Sequence, residues 1–357
     1  MADESLIGRQ LNNFKIESFI GQGGMATVYL GRDVKLNRPV AIKVIDARFR
    51  DNPTYAQRFV REAQSVSAWR HENIVQIYYA DDEDGLYYFV MEYIDGEDLG
   101  KKMAAAAEQG ALLPHPQVLR IGRSVAKALD YAHQKGVIHR DVKPANVLIS
   151  QEGQVVLSDF GLALIVAEGS LGEVFGSSHY IAPEQARRSA DAVPQSDLYS
   201  LGVILYQMLT GVVPFDDPSP TAVALQHLTQ PPPAPRDANP ELNLKVESVL
   251  LKALSKSPAE RYQSGAELID ALEAALQDAA PSVAVAPAAV NQDDNLIGLQ
   301  LDEYRLEKLL GKGGMAAVYQ GVDVRLNRRV GVKVIDTPHR ADAEYIKRFE
   351  REAQAIA

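Results

Sequence analysis

The chain of 357 residues contains no cysteine, which excludes disulfide bonds and metal sites built on thiolates. That composition fits a reducing compartment, and we predict a cytoplasmic location. The acidic residues at the N-terminus, Met1 to Glu4, are not followed by the apolar segment of a signal peptide. No uninterrupted apolar run reaches the roughly 18 residues typical of a membrane helix, so we expect no membrane span.

An excess of positive charge is also lacking. The 37 lysines and arginines face 47 aspartates and glutamates, and the net charge is −10 at pH 7. A protein that binds nucleic acid usually carries a basic surface, so this balance argues against a nucleic-acid partner. The hydrophobic fraction of 46% is enough for a sizeable core, and the length predicts two or three domains.

The stretch from His139 to Gly161 carries most of the chemical information. Its apolar runs at 147–149 and 155–157 flank a polar turn that contains Gly153. Short apolar runs rich in β-branched residues around a polar turn with glycine predict a β-hairpin.

Polar side chains stand at both ends of this predicted hairpin. Asp141, Lys143 and Asn146 precede it, and Asp159 follows it. A rigid hairpin would bring these two carboxylates, the amide and the ammonium group to one edge. Such a set can bind a divalent cation and activate a hydroxyl group. A surface hairpin with solvated charges is the plainer alternative, but two motifs at matching spacing favour a catalytic site.

A glycine-rich turn lies near the N-terminus. Residues 14–30 have the pattern of a strand, the turn Gly21-Gln22-Gly23-Gly24, and a second strand. Glycines let the backbone approach a phosphate closely and present N–H groups to it. Lys43 follows on a predicted third strand, and this pairing is a much stronger signal than the turn alone.

The remaining pattern alternates between strands and helices. Residues 54–69 have the spacing of a helix, which contains Glu62. Two more strands are predicted at 71–79 and 86–91. The rest of the first 277 residues is mainly helical, with helices predicted at 98–109, 117–136, from 197 onward, and at about 221–228, 245–255 and 264–277.

Together these motifs resemble the catalytic core of protein kinases. The matching residues are His139-Arg140-Asp141, then Lys143 and Asn146, then Asp159-Phe160-Gly161. The Asp-x-Lys-Pro-x-Asn form is similar to the serine/threonine branch, and the motif style looks most like bacterial serine/threonine kinases. The resemblance implies a two-lobed α+β fold, with a small antiparallel sheet and one helix in one lobe and mainly helices in the other.

The resemblance also implies domain boundaries. A kinase catalytic domain would cover residues 14–277. Its small lobe would span about 14–91, its hinge about 92–96 and its large lobe about 97–277.

The family's functional roles carry over to matching residues. Asp141 would accept the proton of a substrate hydroxyl group, and Lys143 would stabilise charge on the transferred phosphoryl group. Lys43 would pair with Glu62 and hold the α- and β-phosphates of ATP. These roles are implied by the resemblance and make the chain a kinase of serine or threonine hydroxyls in protein substrates.

The resemblance further implies the ligands of the site. Asn146 and Asp159 would bind Mg²⁺, with Mn²⁺ as the alternative metal. Besides Lys43, the residues expected to contact ATP are Ile20, Gly21, Gln22, Gly23, Gly24, Met25, Val28, Ala41, Met91, Glu92 and Ile94.

The sequence departs from the pattern of many kinases in two places. Ala26 stands where a third glycine is usual, a change that we do not expect to abolish nucleotide binding. The segment 162–181, which should be the activation segment, contains no threonine. Ser177 stands where relatives carry a threonine that lines the substrate site. Ser170 is the best-placed candidate for a regulatory phosphate that Arg140 would meet, and a plain loop serine is the alternative.

Two further residues are expected to support the site. Asp197 begins a helix that is apolar almost all round, so its carboxylate should be buried and need partners. By resemblance, it braces the backbone around Asp141. Arg261 matches the arginine that pairs with Glu184.

The end of the chain repeats its beginning. Residues 278–295 are rich in alanine and proline and predict a linker. Residues 296–357 then restate the first strands, the glycine turn, Lys43 as Lys333 and Glu62 as Glu352. This partial copy of the small lobe has no hinge and neither catalytic motif, so we expect it to bind no nucleotide.

Two alternatives to an active kinase remain open at this point. One is a pseudokinase that signals by shape and partner binding, which the intact catalytic set disfavours. The other is an assembly module in which residues 296–357 recruit other kinase chains by self-association, and this role can coexist with catalysis.

Overall fold

The structure is a computed structural model that divides into two compact units, residues 1–280 and 281–357. None of the helices among the described residues has the length and apolarity to cross a bilayer. The described residues are 6–23, 26–46, 60, 63–64, 66–160, 178–277, 300–301, 304–312, 316–323 and 328–335.

A six-stranded antiparallel sheet forms the small lobe of the first unit. Its order is β1-β2-β3-β4-β6-β5. The described residues at 60, 63–64 and 66–67 are helical, within the predicted helix at 54–69. The strands are β1 (Gln10–Leu11), β2 (Phe14–Gln22), β3 (Ala26–Asp33), β4 (Arg38–Ile45), β5 (Ile77–Glu83) and β6 (Leu86–Glu92).

Strand β4 is buried on both faces, which explains its nearly continuous apolar sequence. Val40, Ile42 and Val44 pack into a cluster on one face of the sheet. Ala41 and Ile45 pack into a different cluster on the other face. Because successive side chains of a strand alternate between faces, Lys43 lies on the same face as Ala41 and Ile45.

The predicted strand at 71–79 is partly wrong. The strand begins only at Ile77, while the preceding backbone pairs with the catalytic hairpin. The N–H of Val75 donates to the carbonyl of Leu157 at 3.1 Å, and the N–H of Leu157 donates to the carbonyl of Asn73 at 2.8 Å. These bonds join the chain that leaves the small lobe's helix to the large lobe.

The predicted catalytic hairpin is present. Strands β8 (Val147–Ser150) and β9 (Val155–Leu157) pair antiparallel, with Val147 opposite Leu157. A short strand, β7 (Gly96–Asp98), adds to the outer side of β8. The small sheet therefore sits directly after the chain leaves β6, at the junction of the two lobes.

Helices make up most of the large lobe. The central helix α4 has 14 buried positions among its 17 residues, as expected for a helix that is apolar almost all round. Helix α2 packs a buried stripe against α4 and α8. The helices are α1 (Leu99–Glu108), α2 (His115–Gln134), α3 (Pro183–Arg187), α4 (Pro194–Thr210), α5 (Pro220–Thr229), α6 (Pro235–Ala238), α7 (Leu244–Ala253) and α8 (Gly265–Gln277).

The second unit contains a four-stranded antiparallel sheet in the order β10-β11-β12-β13. Its register matches that of β1–β4. Tyr304 pairs with Asp323 as Phe14 pairs with Asp33, and both register shifts recur at corresponding positions. The strands are β10 (Gln300–Leu301), β11 (Tyr304–Lys312), β12 (Ala316–Asp323) and β13 (Arg328–Ile335).

The close approach of β7 to β8 yields a stability prediction. A Cβ atom on Gly96 would lie 1.9 Å from the backbone oxygen of Ile149, so Gly96→Ala must push two paired backbones apart. Overpacking of this kind costs about 1–3 kcal/mol, and we expect the midpoint of thermal unfolding to fall by several degrees. Gly21→Ala is the matched control, because a Cβ there meets nothing within 4 Å. Equal midpoints for the two variants would contradict the close packing at Gly96.

Candidate active site

The Asp141 carboxylate lies in the loop between α2 and β8. Its Oδ2 accepts hydrogen bonds from Lys143 Nζ at 2.7 Å and from Asn146 Nδ2 at 3.1 Å. The amide of Asn146 also donates to the backbone carbonyl of Asp141 at 2.8 Å. No donor among the described residues reaches Oδ1, and the side chain is 32% exposed. Oδ1 is therefore the oxygen that can accept a proton from an incoming hydroxyl group.

His139 couples this loop to the segment that carries Asp159. Its ring is fully buried, and Nε2 lies 2.8 Å from the carbonyl oxygen of Ser158. Because a carbonyl only accepts, Nε2 must carry the proton, which leaves Nδ1 to accept the N–H of Asp141 at 3.2 Å. The imidazole thus joins Asp141 to the residue that precedes Asp159.

Asn146 and Asp159 are brought together across the hairpin. Ser158 donates its backbone N–H to the carbonyl of Asn146 at 2.9 Å and its hydroxyl group to the same oxygen at 3.1 Å. The start of β8 and the residue after β9 are therefore fixed to each other. This is the edge where the sequence predicted that the polar groups would meet.

Asp159 forms an ion pair with Lys43 across the cleft between the lobes. Asp159 Oδ1 lies 2.6 Å from Lys43 Nζ, with the side chains 22% and 13% exposed. Burial alone would raise the pKa of Asp159, but the charge and hydrogen bond of Lys43 outweigh it and hold the pKa below its ordinary value. The group is thus a carboxylate at neutral pH. Its backbone φ of 67° is rare for a non-glycine residue and is typical of functional sites.

Asp197 fixes the backbone that leads into Asp141. It is 1% exposed and accepts hydrogen bonds from the N–H groups of His139 at 2.8 Å and Arg140 at 2.7 Å. His133 Nε2 lies 2.7 Å from the same carboxylate. Arg140 has a φ of 69°, so the carboxylate holds a strained backbone in place directly before Asp141. The predicted bracing role of Asp197 agrees with these contacts.

An apolar cluster with members from both lobes, called the apolar slot below, includes residues of the hairpin. Ala41 and Met91 of the small lobe are buried in it, and Val28 and Ile94 pack against it from partly buried positions. Leu148, from β8, packs against the same cluster from the large lobe. Ligand sites are lined mainly by apolar side chains, so this grouping is compatible with the prediction that these residues contact the adenine ring.

The glycine turn begins at the end of β2. Ile20 is 48% exposed, Gly21 and Gln22 complete β2, and the N–H of Gly23 donates to the carbonyl of Ala26 at 2.9 Å. Glu92 ends β6, and its N–H donates to the carbonyl of Gln76 at 2.8 Å. Three predicted site residues, Gly24, Met25 and Glu62, lie outside the described residues, and so does the predicted pair of Lys43 with Glu62.

A cavity adjoins Asp159. It is lined by Phe89, Met91, Leu157, Asp159 and Phe160, among others. Met91 therefore belongs both to the apolar cluster and to the wall of this cavity.

Sequence reasoning missed three residues that shape the site. Leu148 packs against the apolar slot, His139 links the two catalytic segments, and Phe160 packs 4.5 Å from the ring centroid of His139 and 5.7 Å from that of Trp69. His139 and Phe160 lie inside the quoted motifs, so their identity was in view. Their contacts are tertiary, and no spacing rule predicts them.

The half-buried side chain of Arg140 lies next to Asp141 and has polar atoms that lack a partner in the described part of the chain. Its Nε and Nη1 atoms are buried without a hydrogen-bond acceptor there. Ser170 and Ser177, the two serines that the sequence analysis singled out, lie outside the described residues. The candidate phosphate contact of Arg140 stays a prediction.

The predicted ion pair between Arg261 and Glu184 is confirmed. Arg261 has a fully buried side chain and donates from Nη1 and Nη2 to the two carboxylate oxygens of Glu184, each at 2.8 Å. Burial alone would raise the pKa of Glu184, but the hydrogen bonds from Arg261 and Ser196 outweigh it and lower the pKa. The pair fastens α3 to the segment before α8.

The polar groups fit a metal that arrives with a phosphate ligand. Mg²⁺ takes six oxygen ligands, of which the protein usually supplies few and phosphates and water supply the rest. Asp159 offers a carboxylate. The described hydrogen bonds of the Asn146 side chain use only its Nδ2 atom, so its Oδ1 atom can serve as a further ligand. Among the described residues, no group of three or more histidines and carboxylates could hold a metal alone.

Residues 14–272 match the family model described as protein kinase domain. The chain belongs to the protein kinase family. It is of the bacterial serine/threonine type, since it is 40% identical over 267 residues to the serine/threonine-protein kinase PrkC of Bacillus subtilis, covering 74% of this chain and 40% of that protein. It is likewise 40% identical over 266 residues to the serine/threonine-protein kinase PknB of Mycobacterium leprae, covering 72% and 42%.

The solved structure of the PknI kinase domain of Mycobacterium tuberculosis agrees with this kinase fold. The TM-score is 0.62 at 30% identity, covering 76% of this chain and 98% of that one. The kinase spans about two fifths of the length of the curated relatives that it matches. The predicted two-lobed fold is thereby confirmed, and family membership implies the use of ATP and a divalent cation.

The buried carboxylate of Asp197 yields a prediction for this kinase. Asp197→Asn turns one acceptor oxygen into a donor that faces N–H groups, so one buried hydrogen bond is lost and a donor is left unpaired. We expect a loss of about 1–3 kcal/mol in the free energy of unfolding and a lower turnover rate. Asp270→Asn is the control, because its side chain is 66% exposed in a surface pair with Arg123. Chemical denaturation measures both, and an unchanged midpoint for Asp197→Asn would count against its bracing role.

Proposed function

We propose that the chain is an ATP-dependent protein kinase that transfers the γ-phosphoryl group to serine and threonine hydroxyl groups of proteins. One observation carries this proposal: Asp141 has Oδ2 tied to Lys143 and Asn146 while Oδ1 has no donor among the described residues. The carboxylate is thus oriented and keeps one basic oxygen for a hydroxyl proton. The kinase family and the named relatives support the same activity.

Each residue of the site has a distinct task in this proposal. Asp141 Oδ1 accepts the proton of the substrate hydroxyl group as its oxygen becomes the nucleophile. Lys143, already 2.7 Å from Oδ2, keeps positive charge beside the reacting atoms. Asn146 and Asp159 hold the divalent cation, for which we propose Mg²⁺. Bound ATP with its cation supplies the phosphoryl group and the neutralisation of its charge.

The remaining predicted residues bind and orient the nucleotide. Lys43 meets the phosphates, and the turn Gly21–Gly23 offers N–H groups to them. Val28, Ala41, Met91, Ile94 and Leu148 enclose the adenine ring in the apolar slot. Glu92 lies at the end of β6, where the backbone of the hinge is within reach of the adenine edge. A non-catalytic scaffold would not require this combination of groups, so we propose an enzyme. We propose a cytoplasmic location for it.

A matched pair of substitutions tests the two carboxylates. Asp141→Asn removes the proton acceptor but keeps the shape of the side chain and the metal ligands. We expect phosphoryl transfer to fall by at least about 100-fold while the affinity for Mg²⁺-ATP is little changed. Asp159→Ala should abolish transfer and also remove the tightening of ATP binding by Mg²⁺, because a ligand of the cation is lost.

The assay follows labelled γ-phosphate into a generic basic protein and measures ATP affinity by calorimetry with and without Mg²⁺. Near-normal turnover in Asp141→Asn would overturn its role as the base. An unchanged effect of Mg²⁺ in Asp159→Ala would show that Asp159 does not bind the metal.

The second unit has a separate proposed role. We propose that residues 296–357 form a partial copy of the small lobe that binds no nucleotide, joined through the linker 278–295 to the catalytic domain at 14–277. Within the described residues β13 pairs only with β12, whereas its counterpart β4 also pairs with β6. An open strand edge is a template for pairing with another chain, which favours self-association as the role of this unit.

Deletion of residues 296–357 tests this proposal. Kinase activity per molecule should survive within about threefold, since distant sites without shared contacts act independently. Light scattering gives the molar mass of the particle, which divided by the mass of one chain is the number of chains. That number should be smaller for the deletion variant than for the intact protein. A collapse of activity, or two equivalents of ATP bound by the intact chain, would show that the copy is part of the catalytic machinery.

A further inference from the structure

A buried histidine links the segment before Ala182 to the centre of the large lobe. His227 lies in α5 and is fully buried. Its Nδ1 atom lies 2.8 Å from the hydroxyl group of Tyr199 in α4, and its Nε2 atom lies 2.9 Å from the backbone carbonyl of His179. The two nitrogens therefore bridge a helix of the core and an irregular segment.

The partners decide the protonation of this ring. A carbonyl oxygen can only accept, so Nε2 carries a proton and donates it to His179. Burial lowers the pKa of His227 to about 3, so the ring is neutral and Nδ1 has no proton. The hydroxyl group of Tyr199 consequently donates to Nδ1, and the phenol fixes the tautomer that holds the carbonyl.

The carbonyl end of His227 is fixed from a different direction. Lys256 Nζ donates to the backbone carbonyl of His227 at 2.6 Å and lies 4.8 Å above the ring of Phe215. The ring of Phe215 packs edge-on against His227, with 4.9 Å between the centroids. The imidazole therefore contacts three separate parts of the large lobe, through Tyr199, His179 and Phe215.

The segment that His227 holds is a single turn of 3₁₀ helix, Ser178–Tyr180. Two further bonds fix its far end. Ser200 Oγ donates to the carbonyl of Tyr180 at 2.6 Å, and the hydroxyl group of Tyr180 donates to Gln207 Oε1 at 2.6 Å. The hydrogen bond from His227 fixes the carbonyl of His179, which lies at the middle of the turn, one residue before Tyr180.

The helix that follows this turn contacts the loop that carries Asp141. Gln185 in α3 donates from Nε2 to the carbonyl of Arg140 at 3.0 Å, next to Asp141. The turn directly follows Ser177, the position that in kinases lines the substrate site. The side chain of His179 is partly exposed and lies 3.0 Å from the exposed Asp216, which leaves a polar surface facing solvent.

We propose that His227 is a positioning residue for the protein substrate, because it fixes through the carbonyl of His179 the turn that directly follows Ser177, where the resemblance to kinases places the substrate site. The proposal rests on the proposed kinase activity and adds to it a residue with no contact to ATP or to Asp141. His227 affects the affinity for the protein acceptor and has no effect on the affinity for ATP.

The test compares two Michaelis constants in the full chain. His227→Leu replaces the imidazole with an apolar group of similar size and removes both hydrogen bonds. We expect the KM for a protein acceptor to rise by about tenfold or more, while the KM for ATP stays within about twofold. His227→Gln can still place an N–H group near the position of Nε2, so it should recover part of the acceptor affinity. His115→Leu, at the exposed start of α2, is the matched control and should change neither constant.

A second variant and a second measurement guard against loss of the fold. Tyr199→Phe keeps the ring and removes only the donor to Nδ1, and it should raise the KM for the acceptor by a smaller factor than His227→Leu. Hydrogen exchange of the backbone at 178–185 should become faster in both variants, without a change in β8 and β9.

The outcomes separate the two proposals. An intact wild-type chain that transfers no phosphate to any protein refutes the kinase activity, and the role of His227 falls with it. An active wild type with an unchanged acceptor KM in His227→Leu and Tyr199→Phe refutes the positioning role alone. Equal increases in both constants would show general damage and would also refute it.

Discussion

The catalytic loop depends on one buried carboxylate. Moving a carboxylate out of water costs several kcal/mol unless hydrogen bonds replace its hydration. Asp197 regains that energy from the N–H groups of His139 and Arg140 and from the imidazole of His133. Because those two N–H groups belong to consecutive residues and point at the same carboxylate, the two hydrogen bonds restrict the backbone conformation there. The left-handed conformation of Arg140 is thus maintained by a helix on the other side of the loop.

From this anchor, order extends through His139 to the metal side of the site. His139 accepts from Asp141 on one nitrogen and donates to Ser158 on the other. Phe160 packs on its ring, and Trp69 packs on Phe160 from the end of the small lobe's helix. The proposed base, the segment that carries the proposed metal ligand and the small lobe are therefore joined by a continuous set of contacts. A displacement of the helix in the small lobe would reach the backbone of Asp141 through three side chains, those of Trp69, Phe160 and His139.

The local sequence pattern predicts the structure correctly where neighbouring residues determine it. The hairpin at 147–157, the helix that contains Asp197 and the position of Lys43 on a strand followed from apolar periodicity and a polar turn. The partial failure at 71–79 has a physical reason. The N–H of Val75 donates to Leu157 and the carbonyl of Asn73 accepts from it, and this partner, more than 80 residues away, lies outside any window of sequence neighbours.

The same limit applies within the site. Leu148 was placed on a strand by its sequence, but only the packing of the two lobes shows that it packs against the apolar slot that includes Ala41. The two hydrogen bonds of His227 join segments that are 28 and 48 residues away in the sequence. Residue type alone could not distinguish this histidine from an ordinary one in the core. The resemblance to kinases supplied the proposed catalytic residues because their spacing within a motif is short.

The ion pair between Lys43 and Asp159 has a consequence for the energetics of ligand binding. Without a nucleotide, each group neutralises the other across the cleft at 2.6 Å. In the proposed kinase, phosphates and a cation that arrive together would give the ammonium group and the carboxylate each a new partner of opposite charge. Neither phosphate nor cation alone would offer that exchange, because either one would leave a largely buried charge unpaired. On this proposal the cleft discriminates against free nucleotide and against free metal, and the ion pair is the origin of that selectivity.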